Sequence, residues 1–250
     1  EFVARIDFET GLNFEAITSN EEARLALRGC QSLLNPEQPY AVVFDIGGGS
    51  TEIIWAKKDG KNFDILDVLS LPLGVVTLAE ECGTYEINNA CYQNMVSDIS
   101  NQLPAFCKRN DIKQKVANNQ VQMLGTSGTV TTLGAVHLNL NHYDRSLIDG
   151  LELTFDELNN ASRKLTDLDF QGRTKMPCIG DERAELVVPG CAILESICRA
   201  WPVGKLRVAD RGLREGMLLE LMVQDGVPVI GNPAANCRHQ QPPKNTETRA

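Results

Sequence analysis

The sequence predicts an α/β domain, a mixed sheet flanked by helices, and three observations carry that reading. Tyr40-Ala41-Val42-Val43-Phe44 is a continuous apolar run, the pattern of a strand buried on both faces. Two more strand-like runs follow it through tight turns, an arrangement no helical bundle accommodates. From Asn88 onward the apolar residues recur every three to four positions, as on amphipathic helices, with short strands between them.

In chain order, residues 13–17 read as a short strand, followed by a helix that Thr18 or Ser19 can cap. Glu21 and Glu22 fall in its first turn, where they complement the positive end of the helix dipole. Ala23, Leu25, Ala26 and Leu27 continue it until Gly29, and Asn35-Pro36-Glu37-Gln38-Pro39 is a linker-like break. Strands are expected at 40–44 and 53–55, and Asp59-Gly60 marks a hairpin into a third at 63–71. Ile87, Cys91, Met95, Ile99, Leu103 and Phe106 share one face of a single long helix. A fourth strand at 121–124 stops at Gly125, and a helix over 130–136 follows. Helices are expected at 153–168 and 186–197, the second kinked or started by Pro189, then a fifth strand at 206–208 and a closing helix at 213–222. The polar, Pro-rich stretch 228–250 has no periodicity and is expected to be a flexible tail.

Composition excludes several classes. Hydrophobic residues at 42% and charged residues at 23% are ordinary globular values, so neither a disordered nor a collagen-like chain fits. No apolar run approaches the roughly 18 residues that cross a bilayer. With 24 Lys and Arg against 33 Asp and Glu, the net charge of −9 opposes sequence-blind nucleic-acid binding, so neither nucleic acid nor membrane is an expected partner. Eight cysteines without a CxxC pair predict buried reduced thiols in a cytoplasmic protein, and three histidines without HExxH spacing predict no zinc site. The chain opens Glu1-Phe2-Val3 with no initiator Met and no cationic-then-apolar leader, so a processed chain or a piece of a longer one is expected.

The strongest chemical signal is Asp45-Ile46-Gly47-Gly48-Gly49-Ser50-Thr51-Glu52. Three glycines let backbone N–H groups approach a bound oxygen closely, forming an anion nest. Asp45 ends one strand and Glu52 begins the next, so the hairpin sets both carboxylates beside the nest. Carboxylates repel a phosphate unless a cation lies between them, and Mg²⁺ held by one or two carboxylates and substrate phosphates meets that need. The alternative is a Gly-rich hairpin with carboxylates facing solvent. Thr126, Ser127, Gly128 and Thr129 repeat the logic where the fourth strand meets a helix N-terminus, although such turns are common. In 210–216 the arginines could clamp phosphate or form salt bridges at a helix start.

Together, EEARL at 21–25, FDIGGGSTEII at 44–54, LGVV at 73–76, LGTSGT at 124–129 and ADRGLREGML at 209–218 resemble the exopolyphosphatase / guanosine pentaphosphate phosphatase (Ppx/GppA) family over about residues 5–224. The resemblance implies an actin-like ATPase, ribonuclease-H-like fold of two lobes with the active site between them. It implies a bacterial, cytoplasmic hydrolase of the stringent response, removing the terminal phosphate of inorganic polyphosphate or pppGpp with Mg²⁺, and a homodimer. By motif, Glu22 matches the catalytic glutamate that activates water, Asp45 and Glu52 the acidic metal pair, and Gly47, Gly48, Gly49 and Ser50 the phosphate cradle. The family's first phosphate loop, DxGSNS-like, and a further arginine motif are absent here, and Ala209, Arg211 and Gly212 depart from its last motif. Residues 1–34 are therefore read as a remnant of the first lobe, 35–227 as the second lobe and 228–250 as a tail. Two rivals remain: a remnant that binds polyphosphate or nucleotide without turnover, and an actin-like ATPase or sugar kinase.

Overall fold

The structure is a computed structural model that describes residues 2–83 and 87–227; the expected tail at 228–250 lies outside the described residues. The chain begins with a helix, α1 (Phe2–Thr10), exposed except at Ile6, and residues 11–18 follow in no regular structure. The strand expected at 13–17 is therefore absent. Phe14 and Ile17 stand exposed, with no neighbouring strand to pair with and no core face to bury. The next helix, α2 (Ser19–Cys30), starts as expected, with Thr18 Oγ1 accepting the Glu21 N–H at 3.2 Å.

A meander of β1 (Tyr40–Ile46), β2 (Thr51–Asp59) and β3 (Asn62–Leu71) follows, and the β2–β3 turn uses Gly60 at φ 57°. A short helix that the sequence reading did not include, α3 (Val75–Cys82), comes next. The long helix expected over 88–106 is two, α4 (Asn89–Ser100) and α5 (Leu103–Arg109). Pro104 fits the first turn of α5, where a missing N–H costs nothing, and could not have stood inside a continuous helix without a break. After α6 (Ile112–Ala117) come β4 (Val121–Thr126), α7 (Gly128–His137) and α8 (Arg145–Ile148).

The helix expected from 153 yields its start to a sixth strand, β5 (Glu152–Thr154), and runs as α9 (Phe155–Thr166), capped reciprocally by Thr154 and Glu157. Then come α10 (Phe170–Thr174), α11 (Asp181–Ala200) with Pro189 in its interior, β6 (Lys205–Ala209) and α12 (Leu213–Gln224). The strands form one mixed sheet in the order β3-β2-β1-β4-β6-β5, with β1, β4 and β6 parallel. Among the described residues, no helix is long and apolar enough to cross a membrane.

Alternation along the strands divides the core. Val42, Phe44 and Ile46 enter the larger apolar cluster beneath α4, α7, α9 and α11, while Ala41 and Val43 enter a smaller one with Ala23, Ala26, Leu27 and Cys30 of α2. On that smaller face α2 packs against α12 backbone to backbone. A Cβ at Gly29 would lie 2.0 Å from the Gly212 carbonyl oxygen, and one at Gly216 equally close to that of Leu25. Gly29, expected to end α2, is thus an interior residue that admits a neighbouring backbone.

One cysteine expectation is corrected. Cys82 and Cys91 form a disulfide with Cα atoms 6.1 Å apart, because α3 and α4 both pack on α11 and bring the end of one to the start of the other. Cys30, Cys107 and Cys191 are free and buried, as expected, and Cys178 and Cys198 are free and half-buried.

Candidate active site

Strand register assembles the site. Ser70, Glu52, Asp45, Thr126 and Ala209 stand on one rung across five strands. Side chains on one rung leave the sheet on the same side. Here that is the α2 side, because Val43, Ile54, Leu124 and Ala209 all belong to the cluster beneath α2. Glu52 is buried and accepts a hydrogen bond from Ser70 Oγ at 3.0 Å, and Asp45 is half-buried. Glu22, in the first turn of α2, reaches the same place. Burial raises the Asp45 carboxyl to about 7, with repulsion from Glu52 and then Glu22 adding to the effect. Glu22 is raised by burial and then by the charge of Glu52. None of the three carboxylates has an ion-pair partner among the described residues.

The glycine loop is held from behind by α3. Gly47 N–H donates to the Ser50 carbonyl at 2.9 Å, while the carbonyls of Gly47 and Gly48 accept the Val75 and Val76 N–H groups at 3.0 and 2.8 Å. Gly74 permits this approach, since a Cβ there would lie 2.3 Å from the Gly48 oxygen. Thr51 Oγ1 donates to the Leu73 carbonyl at 2.7 Å. The helix N-terminus thus takes the loop's carbonyls, and the Gly48 and Gly49 N–H groups have no partner among the described residues. Residues 73–76 acquire here a role that their sequence alone did not define.

The second loop closes a cavity of about 270 Å³ whose walls include Asp45, Thr126, Ser127, Gly128, Arg183 and Arg214. Ser127 caps α7, its Oγ accepting the Val130 N–H at 3.1 Å, so the positive end of that helix opens into the cavity. Thr126 Oγ1 donates to the Arg211 carbonyl at 2.9 Å. Thr129 lies elsewhere, buried against Gly190 of α11. A larger cleft of about 570 Å³ opens between α4, α9 and α11, on the opposite side of the sheet from the acids.

The arginines divide into two groups. Arg211 is committed to Asp149, with Nε 2.9 Å from Oδ2, and Arg145 pairs with Glu215 at 3.2 Å and Asp210 at 3.5 Å. Arg183 hydrogen bonds to Thr132 Oγ1 at 3.3 Å and stands 5.8 Å from the Tyr143 ring. Neither Arg183 nor Arg214 has a carboxylate partner among the described residues, so these two cations remain available to an anion in the cavity. The sequence reading missed Arg183, because it expected this helix to begin at 186, and only the observed start at Asp181 sets that cation in the first turn. No group of three or more His, Cys, Asp or Glu among the described residues is arranged to hold a metal by itself. Asp45 and Glu52 offer the oxygen donors that suit a hard cation sharing its shell with a bound anion.

Comparison with known proteins follows the same lines. The Ppx/GppA phosphatase family model matches residues 1–225. The chain is 25% identical over 219 residues to exopolyphosphatase 2 of Mycobacterium tuberculosis, covering 83% of this chain and 63% of that protein. It is 27% identical over 225 residues to guanosine-5'-triphosphate,3'-diphosphate pyrophosphatase of Pseudoalteromonas translucida, covering 88% and 41%. It thus spans less than two thirds of each relative's length. Among solved structures it resembles the Aquifex aeolicus PPX-GPPA enzyme, with a TM-score of 0.70 and 28% identity over 88% of this chain and 69% of that one. A Cytophaga hutchinsonii exopolyphosphatase shares the fold, with a TM-score of 0.72 and 24% identity over 90% and 70%. The fold is the actin-like ATPase fold of these structures. A match that runs through every strand of the sheet and both loops at its carboxyl edge makes this chain a member of the Ppx/GppA phosphatase family.

Proposed function

We propose that the chain carries the catalytic groups of a Mg²⁺-dependent phosphohydrolase that removes the terminal phosphate of inorganic polyphosphate or pppGpp. The observation that supports it most is the mutual charge repulsion of Glu22, Asp45 and Glu52, which have no counter-ion among the described residues, near the Gly48 and Gly49 N–H groups, which have no partner among them either. Asp45 and Glu52 would hold Mg²⁺, whose charge when bound offsets both the carboxylates and the polyanion. The chain's own groups supply the rest. The 47–50 loop and the α7 N-terminus bind phosphate oxygens, and Arg183 and Arg214 take charge that spreads along the anhydride. Glu22, its carboxyl raised, accepts a proton from water as the water oxygen bonds to phosphorus. The anhydride bond to the remaining chain breaks, and the shortened polyanion leaves with the bond's electrons.

The test is orthophosphate release from polyphosphate and from pppGpp by the 250-residue chain, with and without Mg²⁺, beside Glu22→Gln. Release that needs Mg²⁺ and falls about 10²- to 10⁴-fold in the variant is the expected result. An unchanged rate in the variant would remove Glu22 as the base. The alternative outcome is binding without turnover. Polyphosphate heats in calorimetry with no phosphate release would select it. The proposal extends to a cytoplasmic homodimer in polyphosphate or stringent-response turnover, and a monomer in sedimentation would remove the dimer.

A further inference from the structure

We propose that Cys82 and Cys91 are a reversible dithiol–disulfide couple, a redox modification site that sets the order of α3 and, through it, of the 47–50 loop. The Cα separation of 6.1 Å lies within the range a disulfide spans without moving the backbone. Both residues are half-buried, so a small reagent reaches them, whereas Cys30, Cys107 and Cys191 are enclosed. Their position gives the couple a consequence. A helix of eight residues is not stable by itself in water, so α3 depends on its anchors. Val75, Leu78 and Ala79 are buried against the core, the carbonyls of Gly47 and Gly48 hold the first turn, and Cys82 ties the last residue to the first turn of α4.

At about 1.5 Å per residue, the disulfide and the glycine loop sit at opposite ends of a rod roughly 12 Å long. Opening the disulfide frees the C-terminal anchor, and the last turn frays. The loop carbonyls are then held by a less ordered set of N–H groups. The oxidant is a low-molecular-weight disulfide such as glutathione disulfide. One cysteine thiolate attacks it and expels one glutathione thiolate, and the second cysteine attacks the resulting mixed disulfide and expels the other. Two cysteine thiols are oxidised, one glutathione disulfide is reduced to two glutathiones, and the protons pass to the departing thiolates. That the loop binds a polyanion rests on the function proposed above; the couple and its effect on α3 do not.

The experiment equilibrates the full chain across glutathione/glutathione disulfide ratios, alkylates the remaining thiols with iodoacetamide and locates them by peptide mass. Hydrogen exchange is measured on the same samples. The expected result is joint loss of alkylation at Cys82 and Cys91 as the buffer becomes oxidising. Exchange over Val75–Cys82 should be on the order of ten-fold faster in the reduced form. Cys82→Ser and Cys91→Ser should exchange like the reduced form in either buffer. Both cysteines remaining alkylatable in oxidising buffer, or equal exchange in the two states, would overturn the proposal. Altered exchange with no polyphosphate binding in either state would leave the couple standing and count against the polyanion site alone.

Discussion

Phe44 and Asp45 are neighbours on β1 and leave the sheet on opposite sides. Phe44 enters the larger cluster, where whole side chains from four helices fill the space. Asp45 enters the α2 side, where the apolar filling is mostly small residues and the contact between α2 and α12 is made by glycines. The first face buries area and so supplies most of the hydrophobic stabilisation. The second brings backbones close and leaves a cavity at the carboxyl end of the strands with Asp45 in its wall, where the charges of Glu52 and Glu22 also act on it. Ligands of open α/β sheets sit at the carboxyl ends of the strands, and here it is the face with the thinner core that presents its acids there.

The comparison can be broken from either side. The largest expected effect is Phe44→Ala, about 3–5 kcal/mol of stability lost in urea unfolding, because a fully buried ring leaves a cavity. A loss below about 1 kcal/mol would mean that the larger face is not the stabilising one. Gly29→Ala comes next, at about 2–3 kcal/mol, since the new methyl meets the Gly212 carbonyl rather than a side chain able to move. It should also displace α2 and with it Glu22, so a neutral outcome would refute the close packing of α2 on α12.

Asp45→Asn has the opposite sign. The Asp45 carboxyl, ordinarily at 3.8, is raised to about 7 in the folded chain. The native state therefore keeps a proton that the unfolded chain has lost between those values, and stability falls as pH rises through that window. The substitution should flatten the slope and stabilise the chain at pH 8 by on the order of 2 kcal/mol, while abolishing cation binding. An unchanged pH profile would contradict the burial of Asp45 and, after it, the repulsion from Glu52 and Glu22. The smallest effect is Arg24→Gln. Arg24 joins Glu21 and Glu220 across α2 and α12 but is largely exposed, so about 0–1 kcal/mol is expected, and less at high salt.

Local patterns made much of this legible. The apolar run before Asp45, the glycines after it and the Asp59-Gly60 turn define the meander, and a hairpin that short must set Glu52 opposite Asp45. The Thr18 cap and the strand–turn–helix at 121–137 were equally readable. What escaped depends on contacts distant in sequence. Leu153 looks like the start of a helix until Leu206 pairs with it across the sheet. Gly29 looks like a helix stop until α12 arrives against it. Cys82 and Cys91 carry no spacing signal, because their meeting is set by two helices packing on a third. Arg183 lies more than 130 residues from Asp45 and reaches its cavity only through α11.

The central claim is that Asp45, Glu52 and the glycine loop hold a polyanion through a shared cation. Its most direct test is calorimetric titration of tripolyphosphate into the Glu22→Gln chain, in which turnover is blocked, with and without Mg²⁺ and with Glu52→Gln added. Binding that requires Mg²⁺ and disappears when Glu52 is neutralised is the predicted result. Equal binding in the absence of Mg²⁺, or binding that survives the loss of the Glu52 charge, would contradict it.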